Sequence, residues 1–192
     1  MLDLATASLK RSLAVVQDFA DLGLLQVVQV AETIAKSLAN GGNLLIFGNG
    51  GSAADAQHMA GEMVNRFIME RPGLPAIALT TDTSVLTAIA NDYSFDEIFA
   101  KQVKALGRKG DVALGISTSG SSPNVVKALG VARGKGMTNL GLTGREGGDM
   151  GPLCDVLICA PSDEIPRIQE VHALAVHILC ELVDIKLFGR TR

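Results

Sequence analysis

Three histidines, a glutamate and a glutamine are spaced so that they could bind a divalent metal ion. His58 and Glu62 are four residues apart, so on a helix both side chains lie on one face. Gln169 and His177 are eight residues apart, a little over two helical turns, and His172 lies between them. Imidazole nitrogen and carboxylate oxygen are typical ligands of zinc. The spacing leaves open whether His172 or His177 is the second histidine ligand.

Two loops rich in glycine and serine could bind an anion. Residues 48–52 are Gly-Asn-Gly-Gly-Ser, and residues 117–122 are Ser-Thr-Ser-Gly-Ser-Ser, followed by Pro123 at a favoured first-turn position. Glycine lets the backbone approach a ligand, and hydroxyls together with the N–H groups of a helix N-terminus bind phosphate. Neither loop has the P-loop pattern or the dinucleotide-binding pattern. The second loop, which lacks a lysine, therefore favours a small sugar phosphate over a magnesium-bound triphosphate.

Glu62 is also a candidate general base, and Asn91 and Asp92 are polar candidates with a simpler explanation. Glu62 is flanked by Gly61 and Met63, so we expect it to be partly buried and able to act as a general base. Asn91 and Asp92 close a helix-like stretch, and on pattern alone they favour a turn.

The elements that must position these residues alternate between strands and helices. Short apolar runs predict strands at 43–48, 76–79, 112–116 and 156–159, with a weaker one at 140–142. Apolar residues at helical spacing predict two helices within 1–40 and others at 52–69, 84–91, 96–106, 123–135 and 166–188. This alternation indicates a doubly wound α/β fold with a parallel sheet covered on both faces. In such sheets ligands bind at the carboxyl ends of the strands, where both loops lie.

Length and composition favour one domain without a nucleic-acid-binding surface. The 192 residues fit a single domain, with 1–40 as a helical extension and 41–192 as the α/β core. Because the extension is long and apolar, we expect it to pack between the subunits of a homo-oligomer. A net charge of −3 argues against binding nucleic acid. Three cysteines without paired spacing, and apolar runs too short to span a membrane, predict a cytoplasmic protein without a membrane partner.

Four motifs, in this order along the chain, resemble those of the sugar isomerase (SIS) domain family. They are Gly48–His58 (GNGGSAADAQH), Gly115–Gly120 (GISTSG), Leu142–Gly144 (LTG) and Arg167–His172 (RIQEVH). The similarity extends over nearly the whole chain. Within the family, the chain most closely resembles the bacterial phosphoheptose isomerases.

The resemblance implies a fold, an activity and an assembly. The fold would be a three-layer α/β sandwich with a five-stranded parallel sheet, assembled as a homotetramer with active sites between subunits. The activity would be the aldose–ketose isomerisation of D-sedoheptulose 7-phosphate to D-glycero-D-manno-heptose 7-phosphate. That product is a precursor of the heptose in lipopolysaccharide and related glycans. One zinc ion per subunit is also implied.

The same resemblance assigns roles to individual residues. Zinc would be bound by His58, Glu62, Gln169 and His177, which selects His177 over His172. Glu62 and His177 would also form the acid/base pair. The phosphate would be held by the serines and threonine of the second loop. The full set of substrate-binding positions is Asn49, Gly50, Gly51, Ser52, Glu62, Asn91, Asp92, Ser117, Thr118, Ser119, Ser122 and Gln169.

A second branch of the family shares the fold but binds the replication initiator protein instead of catalysing this reaction. Residues 65–67 (NRF), 70–72 (ERP) and 86–92 (LTAIAND) are similar to that branch. That branch lacks the acidic residue at position 62 and the histidine at position 177. Since a binding scaffold needs neither, their presence here favours catalysis, and initiator binding is the alternative hypothesis.

Overall fold

The computed structural model describes residues 1–189 and has five strands and seven α-helices in that range. The strands are β1 (Leu44–Gly48), β2 (Ala76–Ala78), β3 (Val112–Ser117), β4 (Thr138–Thr143) and β5 (Val156–Cys159). The helices are α1 (Leu2–Leu22), α2 (Leu24–Ala39), α3 (Gly51–Val64), α4 (Thr83–Asp92), α5 (Ile98–Leu106), α6 (Pro123–Gly134) and α7 (Ile165–Phe188). Residues 190–192, the end of the predicted domain, lie outside the described residues.

All five strands are parallel and form one sheet in the order β2-β1-β3-β4-β5. The strand order reverses between β1 and β3, where Gly48 is in register with Ile116. At such a reversal the chain leaves the two neighbouring strands toward opposite faces, which opens a crevice at their carboxyl ends. The predicted five-stranded parallel sheet is confirmed, and the crevice lies between the two glycine- and serine-rich loops.

Helices cover both faces of the sheet, which gives the predicted three-layer sandwich. On one face, Leu44 and Ile46 of β1 pack in a core with residues of α2, α3 and α7. On the other face, Leu45 and Phe47 pack with residues of α5 and α6. Alternate residues of a strand point to opposite faces, so a strand buried on both sides is apolar throughout. The uninterrupted apolar run of β1 follows from this position.

The two N-terminal helices differ in how they are packed. Val27, Val30 and Ile34 of α2 are fully buried in the core beneath the sheet. By contrast, α1 buries Phe19 and leaves a set of leucines more than half exposed: Leu2, Leu4, Leu9, Leu13 and Leu22. Within residues 1–189, each helix taken singly is too short or too polar to cross a membrane. Taken together, α1 and α2 are long enough and apolar enough to do so, with a bend of 67° between them.

Two elements, α3 and β4, differ most from the sequence prediction. Helix α3 ends at Val64 instead of continuing to residue 69, because the buried Arg71 side chain binds the carbonyl oxygens of Glu62 and Met63 and turns the chain back. Strand β4 spans six residues and pairs with both β3 and β5. Because of its glycine and polar residues, the hydrophobic pattern predicted this central strand only weakly and only over 140–142.

Candidate active site

The first loop is shaped by glycines at the carboxyl end of β1. Gly50 adopts φ +55°, a backbone conformation that residues with a Cβ rarely adopt. A Cβ on Gly51 would overlap the side-chain amide of Gln169, so this glycine lets α7 approach the first turn of α3. Ser52 is buried in that turn, with its N–H donating to the Asn49 carbonyl at 2.9 Å. The Gln169 side chain therefore lies beside the first loop.

The second loop is held by hydrogen bonds among its own hydroxyls. Ser117 Oγ lies 2.8 Å from Ser122 Oγ and 3.4 Å from Ser119 Oγ, which in turn accepts from the Ser121 N–H at 3.2 Å. Thr118 is half-buried and its carbonyl accepts from the N–H of Gly144. Because Ser122 immediately precedes α6, the hydroxyls gather at a helix N-terminus, where the helix dipole favours an anion.

His58, Glu62 and His177 meet between α3 and α7. The two Nε2 atoms of His58 and His177 are 2.8 Å apart, and His58 Nε2 lies 3.6 Å from Glu62 Oε1. The Glu62 side chain is 28% exposed, which confirms the expected partial burial. Phe67 stacks on the His177 ring with 5.6 Å between ring centroids. Three of the four predicted zinc ligands therefore share one cluster, and the fourth, Gln169, lies two turns before His177 on the same helix.

The donor atoms fit zinc by type. Zinc in proteins is usually tetrahedral with nitrogen ligands at about 2.0–2.1 Å, so two bound imidazole nitrogens lie roughly 3.3 Å apart. The 2.8 Å between the two Nε2 atoms is shorter, and the His58 side chain, 49% exposed, has room to rotate outward. Among residues 1–189, no group of three His, Cys, Asp or Glu side chains is already arranged around a metal position. The zinc site stays a prediction.

His172 occupies a different environment from His177. It is fully buried, and its Nε2 lies 3.0 Å from the carbonyl oxygen of Thr143, at the end of β4. This contact attaches α7 to the sheet and makes His172 a residue of the core. The alternative that the spacing left open is thereby decided in favour of His177 as the histidine that faces His58.

The burial of His172 predicts a pH dependence of stability. Burial lowers the pKa of His172 from 6.5 to about 4, although the hydrogen bond with Thr143 opposes the change. The unfolded chain therefore binds a proton at a pH where the folded chain does not. We expect the free energy of unfolding to be highest above pH 6.5 and to lose about 3 kcal/mol between pH 6.5 and pH 4. Urea unfolding over this range, compared with His172→Gln, measures the effect; an equal loss in the variant would contradict it.

Asn91 and Asp92 are not joined to the two loops by hydrogen bonds among the described residues. Both are exposed at the end of α4, where Asn91 Nδ2 donates to Asp92 Oδ1 at 2.9 Å. Their assignment as substrate-binding residues rests on the family resemblance.

Three residues near the site were missed by the sequence reasoning. Asn124, at the start of α6, is buried and pairs with Asn49. Arg71 binds the carbonyl of Glu62 and forms a buried ion pair with Asp184. Burial raises the pKa of Asp55 while the nearby His58 opposes the rise. Asp55 lies three residues before His58 on α3, a spacing visible in the sequence. By contrast, Asn124 and Arg71 pair with the side chains of Asn49 and Asp184, which are 75 and 113 residues away along the chain.

The fold and the two loops define a sugar isomerase (SIS) domain protein, and the SIS domain family model matches residues 9–144. The phosphoheptose isomerase of Burkholderia pseudomallei (strain 1710b) is 57% identical over 172 residues, which cover 89% of this chain and 87% of that protein. The chain belongs to the phosphoheptose isomerase family.

Solved structures of the family have the same fold. Phosphoheptose isomerase GmhA from Neisseria gonorrhoeae superposes with a TM-score of 0.91 at 46% identity, covering 95% of this chain and 98% of that one. A phosphoheptose isomerase from Francisella tularensis gives a TM-score of 0.92 at 41% identity, covering 95% and 97%. These relatives are named for the isomerase, so they lend no support to the initiator-binding alternative.

Proposed function

We propose that this protein isomerises D-sedoheptulose 7-phosphate to D-glycero-D-manno-heptose 7-phosphate, in the synthesis of a heptose precursor for lipopolysaccharide or related glycans. The observation that carries the proposal is that Glu62 and His177 both lie within 3.6 Å of His58 Nε2, in a chain 57% identical to a named phosphoheptose isomerase. A carboxylate and an imidazole in one cluster supply two groups of different basicity, as isomerisation between C1 and C2 of a ketose needs.

In this proposal the second loop anchors the phosphate end of the sugar. The hydroxyls of Ser117, Thr118, Ser119 and Ser122 donate to phosphate oxygens, and the N-terminus of α6 stabilises their charge. Fixing the far end of the substrate holds C1 and C2 near the acid/base pair, which lowers the entropic part of the barrier. Gly50, Gly51 and Gln169 face the sugar from the other side of the crevice.

The acid/base pair then moves protons between neighbouring atoms. One of Glu62 and His177 removes the proton from C1 and returns it to C2 through an enediol, while the other transfers the proton between the two oxygens. His58, Glu62, Gln169 and His177 would hold zinc. When bound, zinc polarises the substrate carbonyl as a Lewis acid.

We further propose a cytoplasmic homotetramer. The exposed leucines of α1 support an assembly, because apolar surface of this kind is normally covered by a partner subunit. The three cysteines are free thiols, as is usual for proteins of a reducing compartment.

The direct test is turnover of sedoheptulose 7-phosphate by the purified protein, before and after chelation and after zinc is restored. We expect isomerisation that falls at least tenfold on chelation and returns with about one zinc per chain, measured by atomic emission. Activity that is unchanged by chelation, in protein shown to be free of metal, would overturn the zinc assignment and keep the isomerase. No turnover by folded, zinc-loaded protein would overturn the proposed function.

The phosphate-binding role of the second loop predicts an effect on KM. Hydrogen bonds to charged groups contribute about 1.5–3 kcal/mol each, so Ser119→Ala with Ser122→Ala should raise KM at least about tenfold and change kcat much less. Ser121→Ala is the matched control, because Ser121 Oγ accepts from the Asp149 N–H on a neighbouring loop. Steady-state kinetics separate the two constants. A double variant with the KM of the wild type would remove this loop from the phosphate site.

A further inference from the structure

Two asparagine side chains join the loops that follow β1 and β3. Asn49 Nδ2 donates to Asn124 Oδ1 at 2.8 Å, and Asn124 Nδ2 donates back to Asn49 Oδ1 at 2.9 Å. Asn124 is 2% exposed, in the first turn of α6, and Asn49 is half-buried at the carboxyl end of β1. Two reciprocal hydrogen bonds fix both the distance and the mutual orientation of the amide groups.

This pairing changes the role expected for Asn49. Its side-chain oxygen and one amide hydrogen are used by Asn124, so the groups that the first loop turns toward a sugar are chiefly the backbone N–H groups beside Gly50 and Gly51. Breaking the pair would leave a buried amide without its partner, which is unfavourable. Asn49 is therefore held in place and is not free to follow a ligand.

We infer that Asn124 is a positioning residue that sets the separation between the sugar-binding and phosphate-binding loops through its amide pair with Asn49. The inference rests on the proposed function, in which one loop holds each end of the substrate. The pair acts across the crevice where the strand order reverses, a place where backbone hydrogen bonds of the sheet have ended. A side-chain bridge at this point couples the two loops directly.

The test is a double-mutant cycle of Asn49→Ala and Asn124→Ala, measured with kcat, KM and the binding of inorganic phosphate. Misplacement of reacting groups by about 1 Å can cost 100-fold, so we expect kcat to fall between about 10- and 100-fold in each single variant. The kcat of the double variant should be no lower than that of the less active single variant, because both substitutions remove the same interaction. Phosphate affinity should stay within about twofold of wild type, since the hydroxyls of the second loop are untouched.

Val125→Ala is the control for general destabilisation, because Val125 is fully buried next to Asn124 without joining the loops. Its kcat should match that of the wild type at a temperature where both are folded. Additive losses in the cycle, or an Asn124→Ala variant whose kcat equals that of the wild type, would overturn the inference. In either case, turnover of the substrate by the wild-type protein would keep the proposed function. A wild-type protein without turnover would overturn both.

Discussion

Replacing Glu62 by glutamine should reduce kcat by at least about 1000-fold while the protein stays folded. The substitution keeps the size of the side chain and removes the group that accepts a proton, and general acid/base catalysis contributes about 10²- to 10⁴-fold. It also exchanges the carboxylate of a proposed zinc ligand for a weaker amide in the cluster with His58 and His177. His177→Ala should give a loss of similar size.

The control for this prediction is Glu70→Gln. It makes the same change of charge eight residues further along the chain, on a side chain that is 90% exposed and pairs with Arg66 at 3.7 Å. We expect wild-type kinetics from this variant. Steady-state assays and circular dichroism compare all the proteins, and wild-type kcat in Glu62→Gln or His177→Ala would remove that residue from the acid/base pair.

Replacing Arg71 by methionine should lower the free energy of unfolding by about 3–5 kcal/mol. The Arg71 and Asp184 side chains are 1% and 4% exposed, with 2.8 Å between Nε and Oδ1. Arg71 also donates to the carbonyls of Met63 and Glu62 at 2.7 and 2.8 Å. Removing Arg71 leaves the Asp184 charge buried without its partner and takes a donor away from both carbonyls, which is the costly way to break a buried ion pair.

Arg66→Met is the matched control, because the Arg66–Glu70 pair is exposed and such pairs contribute about 1 kcal/mol or less. Urea unfolding at one fixed protein concentration measures both losses, since stability depends on concentration wherever subunits assemble. Adding Asp184→Leu to Arg71→Met should recover part of the loss by removing the unpaired carboxylate. A loss below 1 kcal/mol in Arg71→Met would show that the ion pair does not hold the end of α3.

The amino-acid sequence by itself determined the elements whose signals are local. The apolar run of β1 and the helical spacing of α2 and α7 are patterns within short segments, and each predicted its element. The glycines and serines of the two loops are equally local, and they predicted loops at the carboxyl ends of the strands. The four motifs that resemble the SIS domain family, and their order along the chain, were also visible in the sequence. The end of α3 was predicted wrongly because Arg71, which sets it, acts from beyond the helix.

Only the tertiary structure decided which side chains meet. His172 and His177 have similar positions in the sequence pattern, yet one is buried against Thr143 and the other faces His58, because the rotation of α7 against the sheet is set by packing. Asn49 and Asn124 are 75 residues apart, and Arg71 and Asp184 are 113 apart. Periodicity and turn chemistry extend over a few residues, whereas these contacts depend on how the crossover connections fold back on the sheet.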